Sequence, residues 1–222
     1  MKVAVSWTGG KDSALAALEA QVNHDIVLFV NFRWDQPSPS HPFAIAKMQS
    51  EATNKPFLWE RVEKPYLESY KASIVYLKNK FGVEAIVTGD ITVDAFHGKW
   101  IDEVCKDTRV EVIKPLWERD RTAIMEELLS SGLKVILTCV KEPFFTEDWL
   151  GRLIDSRCVQ DLKALHEKNG VDICGEFGEY HTMVTDAPFF NKSIQMSKFK
   201  SHKTENGFIM EPIVLSLKHK PS

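Results

Sequence analysis

Ser6-Trp7-Thr8-Gly9-Gly10-Lys11-Asp12-Ser13 follows a short apolar run, Lys2 to Val5, and opens directly into a helix-forming stretch, Ser13 to Gln21. A strand, a paired-glycine turn and a helix N-terminus together make an anion cradle. Backbone N–H groups turn inward, the helix dipole adds positive potential, and Lys11 adds a full charge. The glycines let the backbone approach a phosphate closely. A nucleotide phosphate is therefore the expected ligand of Ser6, Thr8, Gly9, Gly10, Lys11, Asp12 and Ser13. A Walker A loop would place glycine five positions before Gly10, where Val5 stands, and Ser or Thr after Lys11, where Asp12 stands. Kinase and GTPase loops are excluded.

Working outward, the first half alternates strand and helix patterns. Asp25 to Phe32 reads as a buried parallel strand, and Pro42 to Thr53 as a helix with proline at its start. Pro56 to Val62 reads as a strand. Tyr66 to Phe81 carries apolar residues at helical spacing and closes at Gly82. Ala85 to Gly89 is a strand followed by Asp90. This alternation predicts an α/β fold with a doubly wound parallel sheet and ligands at the strands' carboxyl ends. Gly89 joins the nucleotide-binding set, and Asp90 and Asp12 are candidate oxygen ligands for Mg²⁺. Asp12 also suits an ordinary helix cap.

The second half predicts a helix over 99–106, a strand over 110–113, a helix over 120–131, a strand over 133–140 and a helix over 156–168. Two strands, 192–203 and 208–218, are joined by Glu205-Asn206-Gly207, a hairpin signal. A division into a nucleotide-binding domain, 1–110, and a substrate-binding domain, 111–222, is expected. Trp34 to His41 reads as a loop at the mouth of the cleft, and His97 lies in a loop just beyond Asp90. Arg119 and Arg121 stand at a helix start, free to meet an anion or solvent.

Composition narrows the function classes. The 222 residues carry a formal net charge of −3, which gives no support to general nucleic-acid binding. No apolar run reaches the length of a membrane span, and the N-terminus reads as strand and loop rather than a leader. Cys105, Cys139, Cys158 and Cys174 form no C-x-x-C pair, which fits reduced thiols in a cytoplasmic protein and argues against a zinc ribbon or dithiol centre.

Cys174-Gly175-Glu176-Phe177-Gly178-Glu179-Tyr180-His181-Thr182 gathers two carboxylates, a phenol, an imidazole and a hydroxyl on a bent, Gly-rich backbone. Glu176 and Glu179 can accept N–H groups, metal or a proton. His181 is expected to titrate near neutrality.

The first loop resembles the S-G-G-K-D-S loop of the PP-loop ATP pyrophosphatases, with Thr8 in place of Ser. The second motif resembles the G-E-x-G-E-[FY]-x-T signature of the diphthine–ammonia ligase family within that group. Gly89-Asp90-Ile91, Lys114-Pro115-Leu116-Trp117, Gly151 through Asp155 and Thr185-Asp186-Ala187-Pro188 with Phe190 extend the likeness to about residue 195. The resemblance implies a HUP-type nucleotide domain, with a smaller α+β substrate domain, and an ATP- and Mg²⁺-dependent amidation. A carboxylate would be adenylated, releasing pyrophosphate, and ammonia would displace AMP. Lys11, Glu176, Glu179 and His181 would be catalytic, and Tyr180 and Thr182 would bind the substrate. Implied partners are ammonia and a carboxylate, either the diphthine of elongation factor 2 or a small molecule; a homo-oligomer is compatible with the sequence. Diphthamide-forming members carry Gly and Glu where this chain has Phe177 and His181, and a branch with His there has been linked to cobalamin salvage. The alternatives are thus the same chemistry on another carboxylate such as a corrinoid, a tRNA-modifying PP-loop enzyme, or a nucleotide-binding module without catalysis. Thiolating relatives commonly carry paired cysteines, and this chain's look unpaired.

Overall fold

The computed structural model describes residues 1–33, 40–92 and 99–220, which fall into two compact units. The first comprises residues 1–8, 12–33, 55–92 and 99–118; the second comprises 9–11, 40–54 and 119–220.

In the first unit β1 (Lys2–Ser6), β2 (Asp25–Arg33), β3 (Phe57–Arg61), β4 (Ala85–Val87) and β5 (Glu111–Ile113) form one parallel sheet in the order β3-β2-β1-β4-β5. The strands read as nearly continuous apolar runs because a parallel sheet is buried on both faces. Ala4, Leu28, Val30 and Ile86 pack with Ile74 and Leu77 of α3 (Tyr66–Phe81) and Val104 of α4 (Trp100–Cys105). Gly82 closes α3 in the left-handed conformation, φ 68°, with its N–H on the Lys78 carbonyl. From β1 the chain proceeds through α1 (Lys11–Asn23) to β2 on one side, and later returns to β4 on the other. The β1/β4 boundary is thus the topological switch point, where such sheets bind ligands.

The second unit holds an antiparallel sheet, β7-β6-β9-β8, built from β6 (Lys134–Lys141), β7 (Tyr180–Asp186), β8 (Lys192–Thr204) and β9 (Gly207–His219). Its helices are α2 (Phe43–Ala52), α5 (Arg121–Ser130) and α6 (Ser156–Asn169). Asp120 and Asp155 cap α5 and α6 by accepting from the Ala123 and Cys158 N–H groups, each at 2.8 Å.

The parallel sheet and a second, α+β unit are as expected, with most element ends displaced by one or two residues; the α+β unit has the smaller sheet but is the larger of the two. The exception is β7. The sequence predicts a bent, Gly-rich backbone over 174–182, but from Tyr180 onward the motif is strand. Met183 and Val184 are fully buried, and their neighbours alternate too weakly to announce a strand.

Candidate functional site

On the first unit, Trp7 follows β1 and donates its N–H to the Val30 carbonyl at 2.7 Å; its own carbonyl accepts from Asn31 Nδ2 at 2.6 Å. The chain leaving β1 is therefore fastened to β2 before the loop begins. Thr8 Oγ1 lies 3.2 Å from Ser13 Oγ. At the end of β4, a Cβ on Gly89 would stand 2.6 Å from Asp12 O and from Ser13 N, and closer still to the Asp12 carbonyl carbon. Glycine at 89 is what lets the end of β4 meet the first turn of α1, so Asp90 and Asp12 come from backbones in contact. Thr88 Oγ1 donates to Asp90 Oδ2 at 2.7 Å. Burial, with Asp90's charge second, pushes the Tyr70 hydroxyl well above its ordinary pKa. Among the described residues, no three His, Cys, Asp or Glu side chains converge on a metal. One or two carboxylates beside phosphate are nonetheless the usual protein share of a Mg²⁺ site.

On the second unit, Gly9–Lys11 is pinned from three directions. Gly9, at φ +87°, offers its carbonyl to the Val184 N–H at 2.8 Å and to Gln49 Nε2 at 2.9 Å. Gln49 is fully buried, and Nε2 also reaches the Val184 carbonyl at 2.8 Å. The Lys11 N–H donates to Thr182 Oγ1 at 3.1 Å. Lys11 is itself buried, with Nζ 5.6 Å from the Tyr180 ring centre. The last residue of the second motif thus holds the middle of the first.

The rest of the second motif is divided between presentation and support. Phe177 is 65% exposed, and Glu176 is half-buried. Glu179 turns inward: Oε1 accepts from the Asp172 N–H at 3.0 Å, and Oε2 is buried with no hydrogen-bond partner. Asp172 accepts from the Cys174 N–H at 2.7 Å and from Arg121 Nε at 3.1 Å. Arg121, read as free to meet an anion, is committed to this support, and Arg119 pairs with Glu127 at 2.5 Å. The Tyr180 hydroxyl donates to the Ile173 carbonyl at 2.6 Å, closing the loop on itself.

His181 does not titrate near neutrality. Burial, followed by the positive charges of His41, Lys141 and Lys11, pushes its pKa down to about 3, and burial alone pushes His41 to about 4. The two rings meet edge to face, with centroids 5.2 Å apart. Gln49 and Lys141 belong to no motif, and His41 enters the sequence analysis only as the last residue of the mouth loop; the fold delivers all three to the site. His97 and residues 34–39 of the proposed mouth loop lie outside the described residues. None of the four cysteines is in a disulfide.

The family models for the N-terminal and C-terminal domains of diphthamide synthase match residues 1–112 and 120–212. The chain belongs to the diphthamide synthase family. Among relatives of this family, a Danio rerio protein named diphthine–ammonia ligase is 28% identical over 220 residues, covering 87% of this chain and 86% of its own length. The Bos taurus protein of the same name is 26% identical over 221 residues, covering 87% and 82%. The Schizosaccharomyces pombe diphthine–ammonia ligase is 28% identical over 190 residues; this chain spans 30% of its length. A solved structure described as a predicted subunit of tRNA methyltransferase from Methanocaldococcus jannaschii superposes with a TM-score of 0.47 at 14% identity, covering 85% of this chain and 98% of that one.

Proposed function

We propose that the protein is an ATP-dependent amide ligase that adenylates a carboxylate, releasing pyrophosphate, and lets ammonia displace AMP. The observation that carries this reading is the Lys11 N–H···Oγ1 bond to Thr182, which joins the phosphate loop to the Gly/Glu motif. Membership of the diphthamide synthase family supports it.

A carboxylate is a poor electrophile, and ATP supplies the leaving group. Charge that builds on the phosphates meets Lys11, the amides of Gly9 and Gly10 and the N-terminus of α1, with Ser6, Thr8, Ser13 and Gly89 shaping the cradle. Asp12 and Asp90 would hold Mg²⁺, which neutralises phosphate charge. Glu179 Oε2 is a buried acceptor without a donor, suited to ammonium or to the proton released when ammonia becomes an amide. Glu176 is the second carboxylate available for that proton. Tyr180 and Thr182 act on the acceptor and on the loop from the same strand. Free ammonia is the nitrogen source in this reading.

The acceptor is diphthine on elongation factor 2 or a different carboxylate. Phe177 and His181 favour the second arm, because they replace the small and the anionic residue of diphthamide-forming members with bulk and imidazole. Incubation with ATP, Mg²⁺, ammonium and diphthine-bearing elongation factor 2, followed by mass spectrometry of the factor, tests the choice. Exchange of the carboxylate hydroxyl for an amine, absent with Lys11→Ala, establishes the diphthine reaction. An unchanged factor beside an active family enzyme directs the same assay to small carboxylates. No AMP with any of them overturns the ligase reading.

A further inference from the structure

His41, His181, Lys141 and Lys11 come from separate parts of the second unit: the segment before α2, β7, the end of β6 and the phosphate loop. His41 and His181 touch ring to ring. Lys141 Nζ and His181 Nε2 lie 3.0 and 4.0 Å from the point where a Cβ on Gly178 would stand, so glycine at 178 leaves the space into which both nitrogens project. Lys141 is steered there by the Phe177 carbonyl at 3.5 Å, and its N–H is held by the Glu179 carbonyl at 2.8 Å. Cys139, opposite His181 across the β6–β7 ladder, is a thiol raised in pKa by burial and so is uncharged there. The charges that act on His181 among the described residues are His41, Lys141 and Lys11, all of one sign. At neutral pH both imidazoles are uncharged, so Lys141 and Lys11 carry the positive charge an anion would meet, and the rings take up protons only when an opposite charge arrives.

We propose that His41, His181 and Lys141 form a binding site for an oxyanion, either the carboxylate of the acceptor or the phosphate chain of the nucleotide. The site rests on the ligase reading for the identity of those anions, and on this structure alone for its existence. Each imidazole can donate one N–H to an anionic oxygen while neutral, and a bound anion favours protonation of both. Lys141 supplies a fixed charge, as Lys11 does on the phosphate side. His41 is the new member; nothing in either sequence motif points to it.

The test follows the ring signals of His41 and His181 by NMR in the full chain, assigned with His41→Asn and His181→Asn. Sodium pyrophosphate and sodium acetate are the probes, with sodium chloride as the ionic-strength control. The expected result is a saturable shift of both rings with one probe, absent with chloride, and an upward move of the pH at which the rings protonate. His41→Asn and Lys141→Met should each weaken that probe's Kd about tenfold, the loss of one charge-assisted contact. Saturation by pyrophosphate assigns the site to the nucleotide, and by acetate to the acceptor. Rings that respond to neither probe beyond chloride overturn the proposal, as do variants that stay folded and bind the responding probe like the unaltered chain. AMP release measured on the same samples separates the two ideas: saturable binding without AMP release refutes the ligase and leaves the site, and AMP release with silent rings refutes the site alone.

Discussion

Gly89→Ala is the sharpest test of how the fold builds the proposed nucleotide side. The added Cβ would stand 2.6 Å from Asp12 O and Ser13 N, where an ordinary contact is 3.4 Å or more, so the end of β4 and the first turn of α1 must separate by roughly 1 Å. The obstructing atoms are backbone and cannot rotate away. Overpacking against side chains costs about 1–3 kcal/mol, and a backbone obstacle places this substitution at or above the top of that range. Gly170→Ala is the control. That glycine caps α6 at φ +71° with nothing within 4 Å of the added atom, so only left-handed strain of about 1 kcal/mol is expected. Urea unfolding followed by tryptophan fluorescence gives both values, with the slope checking that the transition keeps its character. ATP affinity, measured alongside, should fall about tenfold or more for Gly89→Ala, since 1.4 kcal/mol of displaced loop contacts suffices. A Gly89→Ala protein with the wild-type midpoint, slope and ATP affinity would refute the close approach as the reason for glycine.

Three further outcomes follow from the second unit. Thr182→Val keeps the volume but removes the hydroxyl that accepts from the Lys11 N–H, so it should lose about 1–3 kcal/mol and weaken ATP binding, and Thr182→Ser should restore both, as read by urea midpoint and nucleotide titration. Glu179→Gln keeps an oxygen for the Asp172 N–H while placing an amide at the orphaned position; the fold should persist by circular dichroism while ammonium-dependent AMP release falls at least about a hundredfold, the scale of a lost acid–base group. The folded pKa values of His41 and His181 lie below the unfolded 6.5, so their stabilising effect is complete above that pH and is lost as pH falls through 6.5 toward about 4 and 3. Between pH 7 and about 5 each withdraws at most about 2 kcal/mol, less for the solvent that reaches these half-buried rings, and a double His41→Asn, His181→Asn variant should flatten the acid limb of a thermal-shift profile.

The strand–loop–helix opening is legible from residues 2–21 alone, because two adjacent glycines between an apolar run and a helix former leave few other conformations. The doubly wound sheet is legible too, because five short apolar runs separated by helical periodicities favour parallel crossover connections. Those are local signals, read within about one element of the residues concerned. The C-terminal hairpin was legible for the same reason, through Asn206-Gly207. Strand β7 was not, since its buried run, Met183 and Val184, is short and begins inside a Gly-rich loop. Which motif residues present themselves and which support others is settled by packing. Glu179 reads as an acceptor for a ligand and Arg121 as a charge free to meet an anion, yet both turn inward to the Asp172 segment. His181 lost its neutral-pH titration to burial and to cations supplied by residues 11, 41 and 141, none of them its neighbour in sequence. Gln49 became the clasp of the loop at Gly9 because α2 lies beside β7 at Val184. Hydrogen bonding and desolvation depend on what surrounds an atom in space, and sequence spacing carries that information only where the neighbours are neighbours along the chain.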